Sequence, residues 1–394
     1  MPDGATESLR KLVPAMVILA MGPGIFKFLV DAARWHGGDH MGPLGDGINV
    51  WEAGRLVLSG RLDIVFDPYF PQPFLNGVGF RAWAYPPSML LVAVPFGLLS
   101  SAGAILAYDL LSLCVLAVCL RAARFGTALG AAIMLSPACL ENLADSQNGA
   151  WIAGLLVAGL WQAERSPWLG GALLGLATVK PQLGLLIPVY LLARGNWRAI
   201  AGAAVTAAVL AVASSLAFGL TSWPIYVSRL LPFQAHALVV LNTQPGLGPQ
   251  AMMMSVFSLA REAGAGVPLA YGVQAISTLA VCVGAWMAGR RVADVELRLA
   301  ILLLMISLAP PYLWCYDMIP GSVGVALLIR SGLNRGFYRG EFFGLALLWI
   351  IPGIACYLAA VRLPSFCPPI VAAVLVYAWR HARDGAAAVL PATR

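Results

Sequence analysis

The chain has 394 residues, of which 60% are hydrophobic and 11% charged. A soluble domain carries about a quarter charged residues, so no soluble core could hide this much apolar side chain, and lipid must be part of the solvent. The formal net charge of +7 does not point to nucleic acid, because the arginines fall in short clusters between apolar runs; that is a topology signal rather than a phosphate-binding stripe.

The first apolar run, 11–30, follows Arg10 and Lys11. Val30-Asp31-Ala32 is a poor small-residue cleavage site and more apolar runs follow, so the run reads as an uncleaved signal anchor. A long segment, 31–101, comes next, with Asp31, Asp39, Asp46, Glu52, Asp63 and Asp67 among Trp35, Trp51, Tyr69, Trp83 and Tyr85. Its stretch Ile48 to Ser59 (INVWEAGRLVLS) alternates apolar and polar residues at near-helical spacing, which predicts an amphipathic helix on a membrane surface. Pro86 to Ser100 is apolar but short and holds Pro86, Pro87 and Pro95. It is expected to dip into a leaflet rather than cross.

Apolar runs then follow at 102–124, 126–142, 148–163, 167–179, 182–194 and 198–219. After a second long segment, 220–267, come 268–289, 297–314, 316–330, 341–360 and 365–381. A span needs about 20 apolar residues, so several of these are short, and the pair around Lys180-Pro181 also reads as one broken helix. The expectation is an all-α polytopic membrane protein, one domain over 1–394, with about twelve spans. If Pro86–Ser100 does not cross, 16 of the 25 Lys and Arg fall on the side of Arg10 and Lys11. That side is then cytoplasmic by the positive-inside rule. Segments 31–101 and 220–267 become extracytoplasmic, as in a bacterial inner-membrane protein with its site facing the periplasm.

Seven cysteines, mostly inside apolar runs and without a C-x-x-C pair, indicate neither a disulfide framework nor a zinc site. Cys315 and Cys367 are the pair that both fall near the expected outer face. His36, Asp39 and His40 (HGGDH) lack a third nitrogen or sulfur ligand, and a solvated loop is the simpler reading. No G-x-S-x-G, H-E-x-x-H or Walker loop is present. Neither metal nor cofactor is expected.

Polar residues at membrane depth are costly, and the conspicuous ones gather at expected outer helix ends. They are Asp46, Glu141-Asn142 with Asp145 to Asn148, Lys180-Pro181-Gln182, Gln250, and Tyr312 to Asp317 (YLWCYD). Lys180, the lone lysine beyond the first run, suits an anion near headgroup level such as a lipid phosphate; snorkelling is the bland alternative. Asp317 serves either as a site carboxylate or as a helix-start residue. Asp109 reads as a structural partner, for instance of Lys180.

The set as a whole resembles one group of enzymes. Asp46 followed by WEAGRLVLSGRLDIVFDPY, then AYPPSMLLVAVPFGLL, the SQNG turn, ATVKPQLGLLIP and APPYLWCYD are similar to the polyprenyl-phosphate-mannose-dependent α-1,2-mannosyltransferases of the GT-C class. The resemblance covers residues 10–380. It implies a GT-C-like helical fold, a polyprenyl-phosphate sugar donor, a glycolipid or glycan acceptor, and a metal-independent inverting transfer. It implies a catalytic Asp early in the first outer loop, which Asp46 matches, and a Lys-Pro turn for the donor phosphate, which Lys180 matches. Gln147 fits the family's Gly-Gln turn, with Ser146 replacing the glycine, and Asp317 stands where many members carry His. Glu52, Tyr85, Gln147, Asn148, Gln250, Tyr312 and Asp317 are the residues expected to surround the substrates.

Among the carboxylates of the first loop, Asp46 sits between two glycines just before the helix, where it can approach a ligand closely. Its bland alternative is a helix-start residue, a place Asn would fill equally well. One carboxylate to deprotonate the acceptor hydroxyl and cationic stabilisation of a phosphate leaving group suffice for such a transfer. The rival class is a transporter or flippase, but those show two related halves with polar breaks at mid-span, and no such match is visible. The expected state is a monomer in a lipid bilayer, without nucleic acid.

Overall fold

The computed structural model describes residues 47–68, 83–241, 252–361 and 363–389. Among these the chain is helical and forms no strand; Met253 and Trp314 make an isolated antiparallel bridge. The first expected run, 11–30, lies outside the described residues.

The helix expected over Ile48–Ser59 is present as α1, Gly47–Leu58. It is more enclosed than a helix lying on lipid, with Ile48, Val50, Glu52, Ala53, Gly54 and Leu56 all buried. The cause is a close crossing with α2, Leu90–Phe96. A methyl group added at Gly54 would meet the Ala93 carbonyl oxygen at 2.2 Å, and one at Gly97 the Arg55 nitrogen at 2.4 Å. Without side chains, these glycines let two backbones touch. Trp51 Nε1 then donates to the Leu99 carbonyl at 3.0 Å. With its preceding turn, α2 forms the apolar helix Pro87–Phe96; ten residues rise about 15 Å, half of the roughly 30 Å hydrocarbon layer. As a helix this segment is too short to cross.

Ser100 caps α3, Ser101–Ala122, by accepting from Gly103 N at 3.2 Å. The expected run 126–142 is divided, because Pro137 ends α4 (Thr127–Met134) and starts α5 (Pro137–Ala144), bent by 50°. Then come α6 (Gly149–Ala163), α7 (Pro167–Leu176), α8 (Ile187–Ala193) and α9 (Trp197–Phe218). In the second long segment, Ser222–Ile225 continues through a π turn into α10, Leu231–Leu241, and α11 is Val256–Glu262. The chain ends in α12 (Val267–Arg291), α13 (Val295–Ile306), α14 (Ile319–Arg335), α15 (Glu341–Ala360) and α16 (Cys367–Val389).

Among the described residues, α3, α9 and α12 are each long and apolar enough to cross a bilayer, and the bent pair α4–α5 makes a fourth candidate. The expected count of about twelve is not reached by this measure. Many of the other runs are broken or shortened by proline: α13 stops at Ile306 instead of 314 because Pro310 and Pro311 follow. α9 and α12 expose Val205, Val209, Leu216, Ile276, Leu279 and Val283, as helices facing hydrocarbon do, whereas α6 and α13 are almost wholly buried. This is a membrane protein with a helical core wrapped by lipid-facing helices.

Two polar zones lie at opposite ends of the same helices. At the C-terminal end of α6, Glu164 meets Arg298 at 3.0 Å and Arg194 at 3.1 Å, and accepts from Tyr190 Oη at 3.0 Å. Arg298, 2% exposed, also donates to Tyr190 Oη and to the Val292 carbonyl. Arg335–Asp294 and Arg330–Glu296 pairs extend this basic zone. The N-terminal ends of α6 and α14 open at the other zone. The 15 residues of α6 place the two about 22 Å apart.

Candidate functional site

The second zone is organised by the turn between α5 and α6. Ser136 accepts from Cys139 N at 3.4 Å and starts α5. Past its end, Ser146 turns the backbone into the left-handed region at φ +47°, a conformation that costs a non-glycine residue about 1–2 kcal/mol. The turn persists because Asn142 staples it. Asn142 Nδ2 donates to the Gln147 carbonyl at 3.0 Å, and Oδ1 accepts from Ala150 N at 3.1 Å. Gly149 permits the close passage of the Tyr316 carbonyl, which an added methyl would meet at 2.6 Å.

Each side chain of the turn reaches a different element. Ser146 Oγ donates to Asp109 Oδ2 of α3 at 3.0 Å. Tyr85 Oη, in the segment before α2, donates to Gln147 Oε1 at 3.3 Å. Asn148 Oδ1 accepts from Lys180 Nζ at 2.9 Å. Lys180 sits where Ala177–Val179 gives way to Pro181–Gly184, at φ −130° and ψ 71°. Proline at 181 disfavours helix at 180, so the break turns the ammonium inward.

There it meets the other half of the site. Lys180 Nζ also donates to Asp317 Oδ1 and lies 5.3 Å from the centre of the Tyr316 ring. Asp317 lies in the turn Cys315–Met318 and its Oδ2 accepts from Trp314 N at 3.3 Å. The lysine and aspartate side chains are 4% and 0% exposed. Asp317 therefore serves both as a turn-starting carboxylate and as the counter-ion of Lys180. Asp109 is not the partner of Lys180, as the sequence suggested; its partner is Ser146, because the short serine bridges α3 to the turn while Asn148 and Asp317 surround the ammonium.

Tyr312, Trp314 and Tyr316 form a ladder of rings, Tyr312 edge-on to Trp314 at 5.9 Å and Trp314 stacked on Tyr316 at 6.0 Å. The second long segment joins here, with Met254 N donating to the Leu313 carbonyl at 2.8 Å. Trp83 packs edge-on against Tyr85 at 5.2 Å, and Gln234 of α10 donates to the Ala84 carbonyl at 2.9 Å. Glu52 is 2% exposed, and Oε2 has no hydrogen-bond partner among the described residues. Burial pushes its carboxyl above the ordinary range, against the lowering pull of Arg55. Gly47, the first described residue, packs on the turn: an added methyl would lie 2.6 Å from Ser146 Cβ.

Asp46 and Gln250 lie outside the described residues. Of the polar groups singled out in the sequence, those at 141–148, 180 and 312–317 come together, with the start of α1 beside them. Sequence reasoning missed the ties of Asn142 and Asp109. The sequence signal for Ser146 was its place in the SQNG turn just before an apolar run. Among the described residues no group of His, Cys, Asp and Glu could hold a metal ion, and the candidate pair Cys315 and Cys367 is not bridged, each being a buried free thiol. Chemically, the site offers a buried ammonium, amide and hydroxyl groups, and the N-terminal ends of α6 and α14, whose dipoles favour negative charge.

The family model of glycosyltransferase family 87 matches residues 83–311, more than half of the chain. No curated protein and no solved structure matches the chain.

Proposed function

The chain belongs to glycosyltransferase family 87, and from that premise we propose that it moves a hexose, mannose first among candidates, from a polyprenyl phosphate to a glycolipid or glycan acceptor. The transfer takes place at the extracytoplasmic face of a bacterial inner membrane and inverts the anomeric carbon. The observation that carries this reading is the buried Lys180–Asp317–Asn148 cluster at the helix ends opposite the arginine-rich zone. A donor held by its prenyl tail would bring its phosphate to this depth.

In this mechanism Asp46 takes the proton of the acceptor hydroxyl as that oxygen attacks the anomeric carbon. The bond from the anomeric carbon to the phosphate oxygen breaks, and polyprenyl phosphate leaves with the electron pair. Two of the three Lys180 donors are occupied by Asp317 and Asn148; the third is assigned to the phosphate. Asp317 offsets part of the ammonium's charge, so the α6 and α14 dipoles share in stabilising the leaving group. Tyr85, Gln147 and Asn148 shape the polar wall, the Tyr312 ladder lines the apolar approach, and Glu52 and Gln250 are assigned to sugar binding.

The direct test uses the purified full chain in proteoliposomes with radiolabelled polyprenyl-phosphate mannose and a bacterial glycolipid extract. Label should move to a glycolipid of the opposite anomeric configuration, without added metal and in the presence of a chelator. Transfer from a nucleotide sugar but not from the lipid-linked donor would overturn the assignment.

A further inference from the structure

Lys180 and Asp317 form an ion pair shut away from water on both sides. Asp317 has little freedom to leave it. Its Oδ1 accepts from Lys180 Nζ and its Oδ2 from Trp314 N at 3.3 Å, while its own N donates to the Trp314 carbonyl at 2.9 Å. Asn148 bounds the ammonium on another side. Its Oδ1 accepts from Lys180 Nζ at 2.9 Å; an ammonium can only donate, so the orientation of the amide is settled and Nδ2 points elsewhere. That Nδ2 is enclosed and has no hydrogen-bond partner among the described residues, on a side chain that is 0% exposed. A buried donor left without a partner is costly. It stands at the N-terminal end of α6, where the helix dipole favours negative charge. The third ammonium N–H, the amide of Asn148 and the helix end thus make a place for an anion, with a fixed carboxylate set against it.

We propose that Asp317 determines which phosphate this place accepts: by cancelling the charge of Lys180, it favours a singly charged phosphodiester over a doubly charged phosphomonoester. The inference rests on the polyprenyl-phosphate donor reading and adds to it a reason for the product to leave. The sugar donor is a diester with one negative charge. When the bond from the anomeric carbon to the phosphate oxygen breaks, the electron pair stays on that oxygen, and the phosphate becomes a monoester of about −1.5 to −2 at neutral pH. A lone buried ammonium would hold this monoester harder than the diester and so retain the product. The neutral pair instead holds the diester by hydrogen bonds, while the second charge of the monoester meets the Asp317 carboxylate where little solvent screens it. Asp317 acts here through its charge. An uncharged isostere keeps the shape and an oxygen for Lys180 but loses the discrimination.

The test compares two ligands with the same tail, farnesyl phosphate and its methyl diester. Binding is measured by calorimetry on the purified full chain in detergent at about pH 8, well above the monoester's second pKa of about 6. The parent should bind the diester at least as tightly as the monoester. Asp317→Asn should bind both more tightly, with a gain for the monoester at least about tenfold larger, because removing one carboxylate counts twice for a dianion. In turnover, added polyprenyl phosphate should inhibit Asp317→Asn far more strongly than the parent. A parent that prefers the monoester would overturn the proposal, even if Asp317→Asn fails to fold. Equal gains for both ligands in Asp317→Asn would overturn it and leave the phosphate site standing. No binding of either ligand to either protein would remove the phosphate reading, and this proposal with it.

Discussion

Lys180 shows how much of a site depends on one side chain's company. As a residue in a sequence it is an ammonium beside a proline; in the fold it is enclosed by Asp317, Asn148 and the face of Tyr316. A buried ion pair is a poor source of stability, but breaking one side of it is costly, about 3–5 kcal/mol, because the remaining charge loses its partner. Lys180→Met should therefore lower the thermal midpoint in detergent markedly as well as abolish transfer. Lys180→Met with Asp317→Leu should recover most of that midpoint without recovering transfer. Equal midpoints for the single and double variants would show that the pair is not coupled. The bond joins residues 137 positions apart in the chain, which is why neither periodicity nor spacing could reveal it. The expected link from Lys180 to Asp109 failed for the same reason: which of two carboxylates reaches the ammonium is decided by where the Pro181 break turns it.

Among the elements, the joint at the basic end has a pH signature. Burial would raise the Glu164 carboxyl, but the Arg298 and Arg194 guanidiniums and the Tyr190 hydroxyl outweigh it and hold Glu164 below its ordinary range. A carboxylate with a lowered folded pKa contributes stability above its unfolded pKa and loses it as pH falls through the folded value. Arg194 is 36% exposed, so solvent screens part of this contribution. The parent's thermal midpoint should fall on acidification through and below the ordinary carboxylate range. Glu164→Gln should start lower at neutral pH and show a flatter dependence. Parallel curves for the two proteins would contradict the assignment. The legible elements were those with local causes. The helix at 47–58 followed from its spacing, and the break at Lys180 from Pro181. The burial of α1 did not, because it depends on Gly54 meeting Gly97 across 43 positions of chain.

For the molecule as a whole, composition alone was enough to place it in a membrane, and Arg194, Arg298, Arg330 and Arg335 gather with their carboxylate partners at one end of the helices. The number of crossings was less legible, because proline-broken runs of 7–15 residues read as spans in a sequence yet stand as short helices inside a protein core. The site was legible as a gathering of polar residues at helix ends, and its wiring was not. The proposed activity joins both zones. In that proposal the arginines fix one end toward the cytoplasm, and the opposite end handles a lipid-linked sugar with one carboxylate as base. Asp46→Asn tests this most directly, because asparagine keeps the shape and helix-starting ability of aspartate but cannot take the proton. The variant should insert, melt and bind polyprenyl-phosphate mannose like the parent, while turnover falls by at least about 10²-fold, the scale of losing a general base. Turnover within a few-fold of the parent would contradict the account and move the search for the base to Glu52 and Asp317.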